Sequence, residues 1–336
     1  MANTHADTET FKALWAVETD PCHFEQSIVE RRIRDLPDHA VLIRVAYSSL
    51  NYKDAQSAAG DKSVTQDYPH TPGIDAAGTV IRDRSGTFQA GDAVIVTGYD
   101  LGMNTPGGLA EYIKVPPEWV ISCPKGLSLR EAMIYGTAGL TAALCINKLL
   151  MAGAAPTDGD VAVTGATGGV GTMAVSMLAK LGFSVAAITG KLESAGWLTR
   201  LGATKVIDRS SLTELSDISL AQPKWGHGID CLGGEYLSSL VKSLRYGGSV
   251  AACGLTTTSS FNASEVPFLV RNVNLLGVDS VELPLKEKAA VWQQLSDQLK
   301  PENLSNMADE IPLGQVPQCL AQINNGHALG RYLVKL

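Results

Sequence analysis

From residue 40 to about 115 the apolar positions fall in short β-rich runs, each bounded by Gly, Pro, Asp or Asn. This pattern predicts strands over 40–47, 78–82, 93–98 and 110–115, joined by tight turns such as Ala90, Gly91 and Asp92. From residue 128 onward the period changes. A wholly apolar run over 161–164 reads as a buried strand, and Val170, Met173, Ala174, Met177, Leu178 and Leu181 follow at helical spacing. Strands are then predicted over 184–189, 205–208, 228–232, 249–254 and 275–278, with helices over 193–201 and 235–244. Strand alternating with helix in this way implies an α/β, doubly wound sheet.

The chain returns to short segments from about 304 and ends on a strand-like run over 331–336. A strand left unpaired exposes a row of unmet hydrogen-bonding groups, so this one is expected to fold back onto the first domain. The expected organisation is a discontinuous β-rich domain of 1–130 plus 300–336, with a nucleotide-binding domain of 131–299 inserted into it. Residues 1–10 are polar and read as a loose tail with no signal-peptide core. The longest apolar stretches, such as 138–146, fall short of the roughly 18 residues that cross a bilayer. A soluble cytoplasmic protein that engages no membrane is therefore expected.

Composition narrows the classes further. With 45% apolar and 18% charged residues in 336, the chain fits a well-buried enzyme of two domains. A net charge of −7 argues against a nucleic-acid-binding face, which needs clustered Lys and Arg. The six cysteines form no C-x-x-C pair, which points to buried free thiols rather than a disulfide framework or a zinc site.

Candidate chemistry begins directly after the strand over 161–164, with Gly165, Ala166, Thr167, Gly168, Gly169, Val170 and Gly171. Glycines between a strand and an amphipathic helix let the backbone turn sharply toward a pyrophosphate, and the helix N-terminus supplies unpaired N–H groups. The end of the second strand discriminates between the two nicotinamide dinucleotides. An acidic residue about 20 positions past the glycines would hold the ribose hydroxyls of NAD. Here position 191 is lysine, beside Thr189 and Gly190, and Arg209 follows the third strand. Two cations and a hydroxyl suit a 2′-phosphate, so the expected cofactor is NADPH. Glu193 is assigned to the following helix.

Segments spread along the chain carry a resemblance. They include the run from Ser49 to Asp54, Pro72 to Gly78, Gly107 to Tyr112, and the glycine loop. With these the chain resembles the medium-chain dehydrogenase/reductase superfamily over nearly its whole length. The resemblance implies a Rossmann domain inserted into a GroES-like catalytic domain. Zinc alcohol dehydrogenases of that superfamily carry Cys in the first segment and His-Glu after the Pro-Gly of the second. This chain has the Asn51-Tyr52 stretch, then Ile74 and Asp75, and it lacks the four-cysteine zinc lobe, so no metal is expected.

Without zinc to stabilise an alkoxide, hydride addition to an α,β-unsaturated carbonyl is the better-matched reaction, because the charge delocalises as an enolate. Further segments are similar to the acryloyl-CoA reductase branch: 134–139, 250–255, 267–273 and 277–280. That resemblance implies that Tyr52 lies against the nicotinamide and offers its hydroxyl to the substrate carbonyl. It implies that Thr167, Gly168, Gly169 and Val170 hold the pyrophosphate. It assigns Thr189, Gly190, Lys191 and Arg209 to the 2′-phosphoribose, and Leu255, Leu269 and Ser280 to the nicotinamide half. It also implies a homodimer through residues 254–281. The substrate is then a short enoyl-CoA; a quinone or free enone is the alternative, and an NADPH sensor without turnover is another. Asp75 is expected to pair with Lys53, Asn51 and Asp54 to shape their loop, and His70 to be a loop residue.

Overall fold

The computed structural model describes residues 9–213, 215, 218–256 and 260–336, so nearly all of the expected tail lies outside the described residues. The chain opens with a ribbon of two antiparallel strands, β1 (Thr10–Asp20) and β2 (His23–Arg32). No residue of β2 is fully buried, so no apolar alternation marks it in the sequence. There follow β3 (Val41–Ser49), α1 (Tyr52–Ala58), β4 (Asp75–Asp83), β5 (Ala93–Thr97), β6 (Tyr112–Val115) and β7 (Val120–Ser122). Val41, Ile43, Val45, Val80, Val94, Val96 and Ile113 point to one side of these strands and make one core.

Next comes α2 (Leu129–Met151), which breaks at Gly136, where φ is 50° and ψ −155°. Contrary to the expectation from residues 138–146, α2 is long and apolar enough to cross a membrane, yet 78% of its most apolar window is buried inside the protein. That burial is the mark of a core helix.

The doubly wound part comprises β8 (Val161–Thr164), α3 (Gly169–Lys180), β9 (Val185–Thr189), α4 (Ala195–Arg200), β10 (Lys205–Asp208), α5 (Ser210–Thr213), β11 (His227–Asp230), α6 (Gly234–Lys242), β12 (Ser249–Ala252), α7 (Val266–Arg271) and β13 (Asn274–Gly277). Its six strands are all parallel, in the order β10-β9-β8-β11-β12-β13. The order reverses between β8 and β11, and ligands of such sheets bind beyond the carboxyl ends of the strands at that reversal. Ala162, Ala186, Ile188 and Val250 from the strands pack with Leu237, Leu240 and Val241 of α6.

The chain ends with α8 (Leu285–Ser296), β14 (Ala308–Pro312), α9 (Val316–Asn324) and β15 (Arg331–Lys335). The terminal strand β15 pairs with β3 on one side and β14 on the other, giving a sheet ordered β14-β15-β3-β4-β5-β7, with β6 on β3. Two compact units result: 1–137, 281–296 and 304–336 form the first, and 138–280 with 297–303 the second. The sequence-based boundary assigned α8 to the second unit. Its inner face explains the difference: Trp292 and Leu295 are buried, the Leu295 carbonyl accepts the Tyr135 hydroxyl at 3.1 Å, and Lys288 Nζ donates to the Thr97 carbonyl at 2.8 Å.

Candidate functional site

In the second unit, β8 ends at Thr164 and α3 begins at Gly169, with Gly168 as its N-cap. The turn between them is tight because a side chain at Gly171 would collide with the Gly165 carbonyl, and Gly165 itself has φ +59°. The Thr164 hydroxyl donates to Asp230 at 2.6 Å and accepts the Cys231 N–H at 3.0 Å, fixing the loop to the neighbouring strand. Burial is the main cause that lifts Asp230 to about 6. The open first turn of α3 therefore presents backbone N–H groups at the sheet's reversal point, the geometry that receives a pyrophosphate.

The residues assigned to the 2′-phosphoribose converge. Thr167 and Thr189 are buried, and their hydroxyl oxygens lie 3.0 Å apart. Thr189 Oγ1 also accepts the Lys191 N–H at 3.0 Å, and its carbonyl accepts the Arg209 N–H at 2.9 Å. Arg209 lies over Gly190, where even a methyl group would meet its Nε at 2.7 Å. The half-buried Lys191 ammonium is held below the usual lysine range, first by desolvation, with Arg209 acting in the same direction. Glu193 opposes that shift. It sits on a short 3-10 turn over Leu192–Ser194 rather than on the regular helix expected, which keeps its carboxylate near Lys191. Sequence reasoning missed Tyr236, whose ring centroid lies 6.0 Å from the Arg209 guanidinium. No local pattern links an aromatic on α6 to a strand end 27 residues earlier.

The nicotinamide residues are less closely gathered. Ser280 is buried and accepts the Thr141 hydroxyl at 2.8 Å. Leu255 and Leu269 are both exposed apolar side chains. Tyr52 belongs to the first unit, where it opens α1 and lines a cavity of about 370 Å³ with Glu18, Phe24, Gln56, Asp61 and Lys62.

The first unit holds a second polar centre around Asp75, and it corrects the expected Lys53 pairing. The fully buried Asp75 carboxylate accepts Ser49 Oγ at 2.6 Å, Asn51 Nδ2 at 2.7 Å, Thr137 Oγ1 at 2.6 Å and the Thr137 N–H at 2.9 Å. Its cationic neighbour is the buried Arg331, 3.7 Å away. Arg331 also donates to the Leu50 carbonyl and to Ser49 Oγ, each at 2.7 Å. The break at Gly136 frees the Thr137 N–H for Asp75, and a side chain at Gly136 would collide with Ser49 Oγ and Asp75 Oδ2. Asp54 accepts the Asn51 N–H at 2.7 Å and the Ile74 N–H at 2.8 Å, so it shapes its loop as expected. His70 is buried rather than a plain loop residue, with its ring below the usual histidine range mainly through desolvation.

These positions do not fit a catalytic zinc. Ile74 offers no donor atom, and the oxygens of Asp75 are already taken by four donors and an arginine. Among the described residues no group of three or more His, Cys, Asp or Glu could hold a metal.

Two known families match successive parts of the chain. Residues 37–125 match the alcohol dehydrogenase GroES-like domain, and residues 169–299 match the family described as zinc-binding dehydrogenase. Over 310 residues the chain is 38% identical to the acrylyl-CoA reductase AcuI of Ruegeria pomeroyi, covering 92% of this chain and 94% of that one. Bacillus subtilis YhfP, which carries a quinone oxidoreductase name, is 46% identical over 90% of this chain and 92% of its own. Its crystal structure with NAD bound superposes with a TM-score of 0.94, covering 98% of this chain and all of that one. The YhdH oxidoreductase of Salmonella enterica, solved with NADP, is 41% identical with a TM-score of 0.93, covering 97% and 99% of the two chains.

Proposed function

The chain belongs to the medium-chain dehydrogenase/reductase superfamily, and on that premise we propose that it is an NADPH-dependent reductase of activated carbon–carbon double bonds, acting on short enoyl-CoA thioesters. The observation that carries this reading is the replacement of the zinc ligands by Ile74 and an internally satisfied Asp75. A site of that kind suits a reaction whose product spreads its own negative charge. Bound NADPH supplies a hydride to the β-carbon. The chain's task is then to hold the cofactor, stabilise the enolate oxygen and admit a proton to the α-carbon.

Lys191 and Arg209, with the Thr189 hydroxyl, are the groups for the 2′-phosphate, and Thr167 to Val170 for the pyrophosphate. A dianion between two cations offsets both the desolvation of Lys191 and its repulsion by Arg209, the two causes that lower its pKa. The bound nucleotides of the relatives differ, NAD in one and NADP in the other, so these side chains are the stronger support. Leu255, Leu269 and Ser280 are assigned to the nicotinamide half. Tyr52, which lines its cavity, is assigned as donor to the thioester carbonyl, where a positioned hydroxyl stabilises developing oxyanion charge. The end strand β13 and the exposed Leu269 and Val270 suit a second copy of the chain.

A specific observation favours a second reading, reduction of quinones or free enones: the name carried by YhfP. Steady-state kcat/KM for acrylyl-CoA, crotonyl-CoA and benzoquinone, each with NADPH, separates the two. The thioester reading expects acrylyl-CoA to lead. Quinone turnover faster by orders of magnitude would replace it, and tight NADPH binding without oxidation by any alkene would leave a sensor.

A further inference from the structure

Gly190 follows directly on β9, at the carboxyl edge of the parallel sheet, and is exposed. Its φ lies outside the left-handed region that favours glycine, so the backbone alone does not call for one. The reason for the missing side chain is Arg209. The three atoms nearest to a Cβ at this position would all belong to that arginine: Nε at 2.7 Å, Cζ at 3.0 Å and Cδ at 3.1 Å. Arg209 thus fills the space that a side chain on residue 190 would take.

Its own strand delivers the arginine there. Asp208 pairs with Thr189 in the parallel register, and the Arg209 N–H donates to the Thr189 carbonyl at 2.9 Å. The guanidinium carbon then lies 6.0 Å from the ring centroid of Tyr236, and that ring packs on the core that holds Ile188 and Leu240. An aromatic face fixed in this way attracts a cation at that separation. Asp208 does not hold the guanidinium: it is lowered first by the Ser210 N–H, which its Oδ1 accepts at 2.8 Å, and last by Arg209. Among the described residues no carboxylate bonds the Arg209 guanidinium, so its donors are open to an anion beside Thr189 and Lys191.

We propose that Gly190 is a specificity-determining position for dinucleotides that carry a 2′-phosphate, acting through Arg209, and that Tyr236 is the positioning residue that braces this arginine. The inference rests on the assignment of Lys191 and Arg209 to the 2′-phosphate and extends it to two residues that need not touch the phosphate themselves. A guanidinium held across residue 190 keeps its forked donors in place for phosphate oxygens, whereas a freely swinging one offers them only part of the time. A methyl group at residue 190 displaces it, because the end of an arginine side chain gives way before the strand does.

The test measures the affinities of the full chain for NADPH and for NADH by titration calorimetry, with no substrate present. Gly190→Ala is expected to weaken NADPH binding about tenfold, the loss of a charge-assisted contact, and to leave NADH binding unchanged. Tyr236→Leu, which keeps an apolar group on the core, should weaken NADPH alone by about twofold to fivefold, and Tyr236→Phe, which keeps the aromatic face, should restore it. In an Arg209→Ala background neither Gly190→Ala nor Tyr236→Leu should cost anything further, since both act through that arginine. A full additional loss in that background would overturn the proposal, as would equal weakening of NADPH and NADH by Gly190→Ala. If Arg209→Ala lowers the preference for NADPH and Gly190→Ala does not, the inference fails and the phosphate assignment stands. If Arg209→Ala leaves the preference unchanged, both fail.

Discussion

The polar centre around Asp75 and the cationic corner around Lys191 are built from similar materials and reach opposite ends. Around Asp75 the charges are buried and the carboxylate accepts hydrogen bonds from Ser49, Asn51 and Thr137, with Arg331 as its cationic neighbour. Around Lys191 desolvation first, and then the neighbouring Arg209, hold the ammonium below its usual range, with Glu193 opposing them. A network that satisfies itself has little left to offer a ligand, whereas like charges held together gain stability from an incoming anion. The first is internal architecture, and the second leaves its cations available to an anion.

The contrast can be broken most forcefully at the Asp75 centre. Gly136→Ala puts a side chain into Ser49, Asp75 and Arg331 at a backbone φ of 50°, and Asp75→Ala leaves Arg331 buried without its partner. Each is expected to cost about 3–5 kcal/mol, read as a loss of denaturation midpoint at unchanged m-value. A cost below 1 kcal/mol would mean that the network is not what holds the unit together. At the other centre, Lys191→Asp should leave stability nearly intact and weaken NADPH binding about a hundredfold relative to NADH, by titration calorimetry. An equal loss for both cofactors would remove Lys191 from the phosphate pocket.

Legibility in the sequence follows the same divide. The clustering around Lys191 was readable because its parts are local: the glycine loop, the strand end at Thr189 and Lys191 lie within 27 residues and follow the spacing of one β-α-β unit. The Asp75 network was not, and Lys53 was chosen wrongly as its partner. Arg331 lies 256 positions away in sequence and reaches Asp75 only because β15 returns to pair with β3. Gly136 stood in an apolar helical run, where an isolated glycine is a recognised sign of close backbone packing, but nothing local says what packs there. The ribbon strand β2 was invisible for a different reason, since neither of its faces is buried.

Two smaller effects sharpen the comparison. Tyr52→Phe should lower kcat for alkene reduction by roughly tenfold to a hundredfold with cofactor affinity unchanged, if its hydroxyl meets the substrate carbonyl. Unchanged kcat would make it a packing residue. Asp54 gives the mildest signal. Burial, with Asp75 as the second cause, raises it to about 7. The folded chain then keeps a proton that the unfolded chain releases above about pH 4. Its contribution to stability therefore falls as pH rises from about 4 to about 7 and is level above that. Asp54→Asn should flatten this slope of Tm against pH across the window, and an identical slope in both proteins would refute the assignment.

The central claim, hydride delivery to an activated double bond, is tested most directly by isotope. NADPH carrying deuterium at the transferable C4 position is incubated with the protein and acrylyl-CoA, and the thioester product is examined by mass spectrometry and NMR. The account predicts propanoyl-CoA with one deuterium, located on the β-carbon, and solvent hydrogen on the α-carbon. Deuterium at the α-carbon, or a thioester recovered unreduced while the same protein oxidises NADPH with benzoquinone, would contradict it.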